Sequence, residues 1–371
     1  MQATQRLLAL DVFRGATIAF MILVNTPGTW SHVFAPLLHA PWHGCTPTDL
    51  VFPNFVFIVG VAIAYSFAKF DYRASRGALL KVARRTLLIF GIGLLLNWFP
   101  FFQTPLDELR VFGVLQRIAL AYGFTATLCL LLPRRMWGVG FVGLLLLYWA
   151  MLYWGGGLAP YSLEDNLVRA VDLAILKPDH LYGGFGIPFD PEGLVGALGT
   201  AASVLLGAIV GLRIRNTEDR GVLVRELFLL GLALTATGLL WDYVLPINKP
   251  LWTSSYVVYA GGIATMLLAT CIELIDLRGY RGWTKPFVVF GTNPLAIYVL
   301  SGLIVKVMLY LIRWQNAAGE SINAYGWLYN SVILAAVPFP KLASLLFAFS
   351  VVLVCYVVAY ILYRRSIFIK V

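Results

Sequence analysis

Charge is what this chain has least of. Only 12% of its 371 residues are Asp, Glu, Lys or Arg, while 60% are hydrophobic; a soluble domain carries roughly twice that share of charge. The scarcity excludes a soluble globular domain and implies an all-α, polytopic membrane protein. Cysteine is scarce too. There are four, and Cys129, Cys271 and Cys355 fall in apolar runs as small core residues, which excludes a disulfide framework. Cys45 stands alone in a polar loop and is read as incidental rather than nucleophilic. Patterns of the GxGxxG, Walker A, HExxH and GxSxG types are absent, as are low-complexity tracts and a clear internal repeat. The net charge of +10 comes without any basic–aromatic patch, so no nucleic-acid partner is expected. No cleavage-site pattern precedes Leu10, and the first apolar run is expected to stay as a membrane anchor.

What is abundant is long apolar runs. About ten transmembrane helices are expected, over 10–30, 50–69, 85–102, 111–132, 136–154, 193–212, 226–245, 254–276, 286–312 and 342–363, each near the roughly 20 residues that span the hydrocarbon. The basic residues cluster in alternate connections: Lys69 to Arg85, Arg134 and Arg135, Arg213 to Arg225, Arg278 to Lys285, and a tail with Arg364, Arg365 and Lys370. The positive-inside bias therefore puts both termini in the cytoplasm and the loop between the first two helices outside. Residues 325–340 are apolar but short and end in prolines, which suits a re-entrant or surface piece on the outer side. The long connection 155–192, with its YGGFGIPFDPEG stretch, is read as a folded outer lid on a single transmembrane domain, 1–371.

Polar residues inside such segments are costly and read first as functional. On the first helix, Arg14 and Asn25 lie within about 20° of one another and Asp11 about 60° from Arg14. Two readings stand: an Asp11–Arg14 pair satisfying itself, or a polar stripe facing a buried cleft. The following loop holds His32, His39 and His43. Imidazole can act as base, acid or nucleophile near neutral pH. His39, His43 and Asp49 have spacings compatible with a metal, but one carboxylate is too few, and no metal is expected. His32 is read as an interface residue and His180 as a substrate contact. Gln116 and Arg117 sit one turn into the fourth helix, where the arginine needs a carboxylate or an anionic ligand. Asp190 and Glu192 either cap the next helix or face a site. Asn248, Lys249, Trp252 and Tyr256 fall just outside the eighth helix, and Pro294 breaks the ladder of the ninth beside Asn293.

Six separated blocks, in order along nearly the whole chain, carry a family resemblance: RLLALDVFRG…LVN with HAPWHGCTPTDLVFPNFVFIVG, then RVFGVLQRIALAY, HLYGGFGIPFDPEGLVGALGT, PINKPLWTSSYVVYAGG and GTNPLAIYVL. The chain resembles the bacterial relatives of heparan-α-glucosaminide N-acetyltransferase. The eukaryotic members carry an extra lumenal domain and a leading helix ahead of these blocks. The resemblance implies transfer of an acetyl group from cytosolic acetyl-CoA to the amino group of a glucosamine-type sugar on the outer face. It implies a multi-pass protein of the bacterial inner membrane, in contact with membrane lipid, and a homodimer. Carried onto this sequence, the family's histidine is His39, its paired asparagine Asn25, and the block's aspartate Asp49. His39 is then general base or acetyl carrier, Asn25 an oxyanion donor and Asp49 the group that orients the imidazole. Arg14 and Arg117, with Gln116 and Asn293, are candidates for CoA contacts; Asp190, Glu192, Asn248, Lys249, Trp252 and His180 are candidates for the acceptor. Two rivals stay open: O-acetylation of a surface glycan and, from another class, amino-sugar transport, against which the lack of a repeat argues.

Overall fold

Helices form here where an apolar run is bounded by residues that cannot continue it. In the computed structural model, which describes residues 7–315 and 319–369, α1 (Leu8–Asn25) ends just before Pro27, whose ring disfavours helical geometry in the preceding residue. This is five residues short of the expected end. α2 (Val51–Ser66) follows the histidine loop. α3 (Arg76–Trp98) begins nine residues earlier than expected because Ser75 caps it, accepting from the Ala78 amide. α4 (Val114–Leu131) and α5 (Trp137–Gly155) come next, then the short α6 (Leu167–Leu176), α7 (Gly196–Asn216), α8 (Arg220–Trp241) and α9 (Ser254–Cys271). The expected ninth span is broken at Asn293, as its proline requires, into α10 (Lys285–Thr292) and α11 (Pro294–Lys306). The chain closes with α12 (Ala324–Trp327), α13 (Leu334–Ala336) and α14 (Pro340–Arg364). A two-stranded antiparallel ribbon, β1 (Arg313–Gln315) and β2 (Ser321–Asn323), pairs Arg313 with Asn323.

The protein is all-α and multi-pass. Among the described residues nine helical segments are long and apolar enough to cross a membrane. The third expected span is a helix of 23 residues, or about 34 Å, but its first half carries Lys81, Arg84 and Arg85. Residues 324–336 form a chain of short helical turns that pins itself to α1 and α14: Tyr325 donates to the Pro27 carbonyl, and its ring packs on Phe347. Lys370 lies outside the described residues.

The two ends of the bundle are chemically different. At one end the termini meet: the Ala9 amide donates to Asp276, and both polar atoms of Asn293 hold the tail at Ile367 and Ile369. At the other end the histidine loop, the 246–253 connection and the segment around α6 close over the bundle. Lys306 fixes the α3–α11 corner by donating to the carbonyls of Leu96, Asn97 and Phe99, at 2.8, 2.9 and 2.9 Å. A cation there satisfies helix-terminal carbonyls that lipid could not.

Helices in lipid gain little from apolar burial against one another and rely on close packing of small residues. α2 and α7 meet at Gly60 and Gly207: a Cβ on Gly207 would enter the Phe57 carbonyl, and one on Gly60 the Val204 carbonyl. Gly15 and Gly291 do the same between α1 and α10. Gly207→Val is therefore expected to lower folded stability by about 1–3 kcal/mol. Thermal unfolding in detergent checks this, with Gly138→Ala, where a Cβ meets open space, as the silent control.

Candidate active site

The centre of the site is built by a turn. Pro47 opens a single turn of helix, Pro47–Leu50, and its missing N–H leaves Thr46 as the cap. Asp49 reaches back so that one carboxylate oxygen, Oδ2, accepts from the Thr46 amide, the Thr46 hydroxyl and the Ala40 amide, each at 3.0 Å. The other oxygen, Oδ1, lies 2.7 Å from Nδ1 of His39. The aspartate side chain is 1% exposed and the imidazole 43%. Tyr256 anchors the turn from beneath, donating to the Asp49 carbonyl at 2.6 Å. His39 is thus tethered through one nitrogen and open to solvent.

A second segment is clamped onto this loop. Asn248, fully buried, donates to the Trp42 carbonyl at 3.0 Å and to Nδ1 of His43 at 3.2 Å, and accepts from the Leu251 amide at 2.7 Å. His43 is therefore a hydrogen-bond acceptor at Nδ1. Burial depresses its pKa, an effect that the charge of Asp242 only partly offsets. The clamp delivers Lys249, whose Nζ lies 3.3 Å from Asp49 Oδ1, 2.9 Å from His39 Nδ1 and 3.5 Å from His39 Nε2. Burial lowers the lysine's pKa against the pull of Asp49 and Glu192. The Cys45 thiol is pushed up to about 12 by burial and by Asp49, so it stays protonated and is no nucleophile.

The facing wall comes from the start of α4 and the segment between α6 and α7. Arg110 forks onto Asp190 through Nε and Nη2, both at 2.8 Å, reaches Glu192 at 2.7 Å, and lies under the Tyr182 ring at 4.7 Å. Burial opposes its charge, but these two carboxylates hold its pKa above the ordinary arginine value. Beneath them Arg117 is wholly buried, bonded to Thr200 and the Pro191 carbonyl and stacked 5.3 Å from the Trp252 ring. His180 Nδ1 is 2.8 Å from the Leu109 carbonyl and its own carbonyl accepts from the Val111 amide at 3.3 Å, stapling the 155–192 connection to residues 109–111. The result is a cleft of about 300 Å³ lined by His39, Asp49, Arg110, Tyr182, Glu192 and Lys249, with Phe185, Pro250 and Trp252 supplying apolar walls.

Of the residues expected from the sequence, His39, Asp49, Glu192, Lys249 and Trp252 share this cleft. Asp190 and Asn248 are buried framework beside it. Asn25 is elsewhere: it is exposed at the end of α1, donating to the Met21 carbonyl at 2.8 Å. Of the two readings for Asp11 and Arg14, the pair is present, with Arg14 Nη1 3.4 Å from Asp11 and from the Gly291 carbonyl. Gln116 is buried against Gly93, Arg117 is sealed beneath the cleft, and Asn293 is occupied by the tail. Asn293 is satisfied by the tail, whereas Gln116 Nε2 and Arg117 Nε are buried without a hydrogen-bond partner. His39, His43 and Asp49 do not converge, since Asn248 turns His43 away. Arg110, Tyr182 and Phe185 escaped the sequence reading; the one local signal was an arginine at the mouth of an expected span, and its partners lie 80 and 82 residues away.

A second cavity of about 450 Å³ runs along α1, α2 and α9, from Phe13, Leu274 and Trp283 near the termini to Pro36, Leu37, Pro47 and Thr48 under the histidine loop. Its lining is almost entirely apolar. The hydroxyls of Thr17, Thr48 and Thr270 in the lining donate to backbone carbonyls, whereas the Asn54 side-chain oxygen is buried without a hydrogen-bond partner. Thr48 and Asp49, consecutive and both buried, line different cavities, so the partition between groove and cleft is one turn thick.

Residues 6–165 match the family model described as heparan-alpha-glucosaminide N-acetyltransferase, catalytic. This chain resembles heparan-alpha-glucosaminide N-acetyltransferase. It is 28% identical to the protein of that name from Homo sapiens over 424 residues, covering 99% of this chain and 60% of the human protein. The corresponding figures for the Mus musculus protein are 26% identity over 427 residues, with 100% and 61% covered. The chain thus spans about three-fifths of the length of the curated relatives it matches. The matched stretch 6–165 contains Asn25, His39, Asp49 and Arg110, whereas Tyr182, Phe185, Glu192 and Lys249 lie beyond it.

The lid also carries a titratable group outside the cleft. Asp172 on α6 is fully buried; Oδ1 accepts from the Leu194 amide at 3.0 Å, and Oδ2 has no partner. Burial, with Asp190 nearby, raises its pKa to about 7. Because the folded state keeps a proton that the unfolded carboxyl loses near pH 4, lid stability falls as pH rises from about 4 to about 7 and is flat above. Asp172→Asn is expected to abolish this slope and to protect α6 more than wild type at pH 8, read by hydrogen exchange of residues 167–176 at pH 5 and 8.

Proposed function

We propose that this chain is a membrane acetyltransferase that takes an acetyl group from acetyl-CoA at the end of the bundle carrying the termini and delivers it to an amino sugar in the His39 cleft at the other. The observation that carries the reading is the partition at Thr48–Asp49: an apolar groove from the termini end stops one turn short of a polar cleft holding a carboxylate-tethered histidine. A pantetheine arm is long, thin and largely apolar with two amides, and the unpartnered Asn54 oxygen in the groove is an acceptor for one of its N–H groups. On the positive-inside pattern the termini end is cytoplasmic, where acetyl-CoA is made available, and the membrane is the bacterial inner membrane.

Acetyl-CoA supplies a thioester carbonyl carbon; the acceptor nitrogen bonds to it, the carbon–sulfur bond breaks, and the thiol leaves with the proton. His39 removes that proton at Nε2, since Nδ1 is tethered to Asp49. Asp49 orients the ring through Nδ1. Asn25 follows Val24, a residue of the groove lining, and offers its amide to the developing oxyanion. Glu192 draws the cationic acceptor into the cleft, and Trp252, Phe185 and Tyr182 give its sugar ring apolar faces. Arg14, near the groove's mouth beside Phe13, is the contact for CoA phosphates.

The test is acetyl-labelled acetyl-CoA with glucosamine and purified protein in detergent. His39→Ala is expected to reduce labelled product by about 100-fold or more while thermal unfolding is unchanged; wild-type turnover in that variant would sink the assignment. Asn54→Leu is expected to raise KM for acetyl-CoA about three- to tenfold, the worth of one neutral hydrogen bond, and to leave KM for glucosamine alone.

A further inference from the structure

Three atoms at the centre of the cleft make an electrostatic problem. His39 Nδ1, Asp49 Oδ1 and Lys249 Nζ form a triangle with sides of 2.7, 3.3 and 2.9 Å. An imidazole N–H pointing at the carboxylate cannot also accept from an ammonium, and a doubly protonated ring would set two cations 2.9 Å apart. Asp49 offers no relief through its other oxygen, which already takes three donors from Thr46 and Ala40. The lysine and the histidine therefore compete for one carboxylate oxygen.

We propose that Lys249 is a positioning residue that holds His39 in its neutral, proton-accepting form by taking up the charge of Asp49. With the ammonium on Oδ1, the carboxylate's attraction for a second imidazole proton is largely spent, and the ring is free to take one from the acceptor. Without it, Asp49 alone faces the imidazole and stabilises imidazolium, which is no base. The remaining titratable groups around the triangle do not substitute for it. Glu192 is carboxylate and would also favour imidazolium; Arg110, the nearest other cation, is bound to Asp190 and Glu192; Cys45 stays a neutral thiol; and His43 is held by Asn248. Tyr256 reaches Asp49 only at the backbone carbonyl. The lysine is where it is because Asn248 fixes its loop: the Asn248 side chain bridges Trp42 and Leu251, and the Trp252 amide donates to the Lys249 carbonyl at 2.9 Å. This role differs from contact with the acceptor, which the sequence alone suggested.

The inference rests on the proposed use of His39 as base, so its test has one arm that needs no turnover. Diethyl pyrocarbonate modifies neutral imidazole, and the modification rate at each histidine peptide, followed by mass spectrometry from pH 5 to 9, gives a midpoint for His39 with exposed His32 as internal reference. Lys249→Met is expected to move the His39 midpoint up by about one pH unit, a tenfold loss of neutral ring on the acidic side. Lys249→Arg, which keeps the charge, restores the midpoint, and His32 does not move. In the second arm the acidic limb of acetyl transfer to glucosamine moves with the modification midpoint. If the His39 midpoint is the same in wild type and Lys249→Met, the inference is overturned. A rise in KM for glucosamine with no change in either pH profile overturns it as well, and makes Lys249 an acceptor contact. A shifted midpoint in a protein that transfers no acetyl group upholds the lysine's effect on His39 and removes the acetyltransferase reading instead.

Discussion

Everything at the histidine-loop end of this molecule depends on one carboxylate kept out of water. A buried, ionised aspartate is tolerated only if its lone pairs are met by donors and its charge by a cation. Asp49 meets both conditions with groups from two distant stretches: local amides and a hydroxyl on one oxygen, His39 and Lys249 on the other. Each partner is thereby positioned by the carboxylate as much as it satisfies it. The same turn that buries the aspartate aims the histidine into the cleft, and the same ion pair that neutralises it draws in the 246–253 loop. Removing the carboxylate would unfasten the geometry and not merely subtract a charge.

The surrounding fold is a response to two solvents. In the hydrocarbon every backbone polar group must be met within the protein, so the chain crosses as helices, and its breaks are covered. Asn293 shows how: the amide beside the Pro294 break is closed by two backbone groups of the tail. Lys306 does the same for the end of α3. At the histidine-loop end the demand is reversed, because charged side chains must face an open cleft while the helices behind them stay dry. The histidine loop answers with a wall one turn thick, apolar groove behind Thr48 and polar cleft before Asp49.

The opposing wall obeys the same rule as Asp49. Arg110 sits between two carboxylates, one fully buried and one at the cleft surface, and the aromatic ring of Tyr182 covers its face. The pairing leaves Glu192 as the carboxylate that faces the cleft and Asp190 as the one that holds the scaffold. Cation and anion alternate around the cleft, Lys249 to Glu192 to Arg110, so the cavity is polar without a large net field. Such a cavity discriminates by geometry and hydrogen bonding more than by long-range attraction.

Much of this was legible in the sequence. The apolar runs determined a multi-pass helical protein, because a bilayer leaves the backbone few alternatives. Pro294 marked the broken helix, and Thr46 and Asp49 lay close enough in the chain for the turn that unites them to be local. His39 stood out through its motif. What the sequence could not reach was anything that depends on which side chains meet across the bundle. Arg110 finds Asp190 from 80 residues away, and Lys249 finds His39 from 210; no periodicity encodes such a meeting. Arg117 and Gln116 carry the residue types of a ligand site and yet are buried within the bundle, Arg117 on Thr200 and the Pro191 carbonyl. Composition and spacing determined the solvent and the helices, and the family motif singled out the histidine. Only the tertiary structure decided which charges share one carboxylate, because that choice is made by the energetics of burying charge, and burial exists only once the chain has folded.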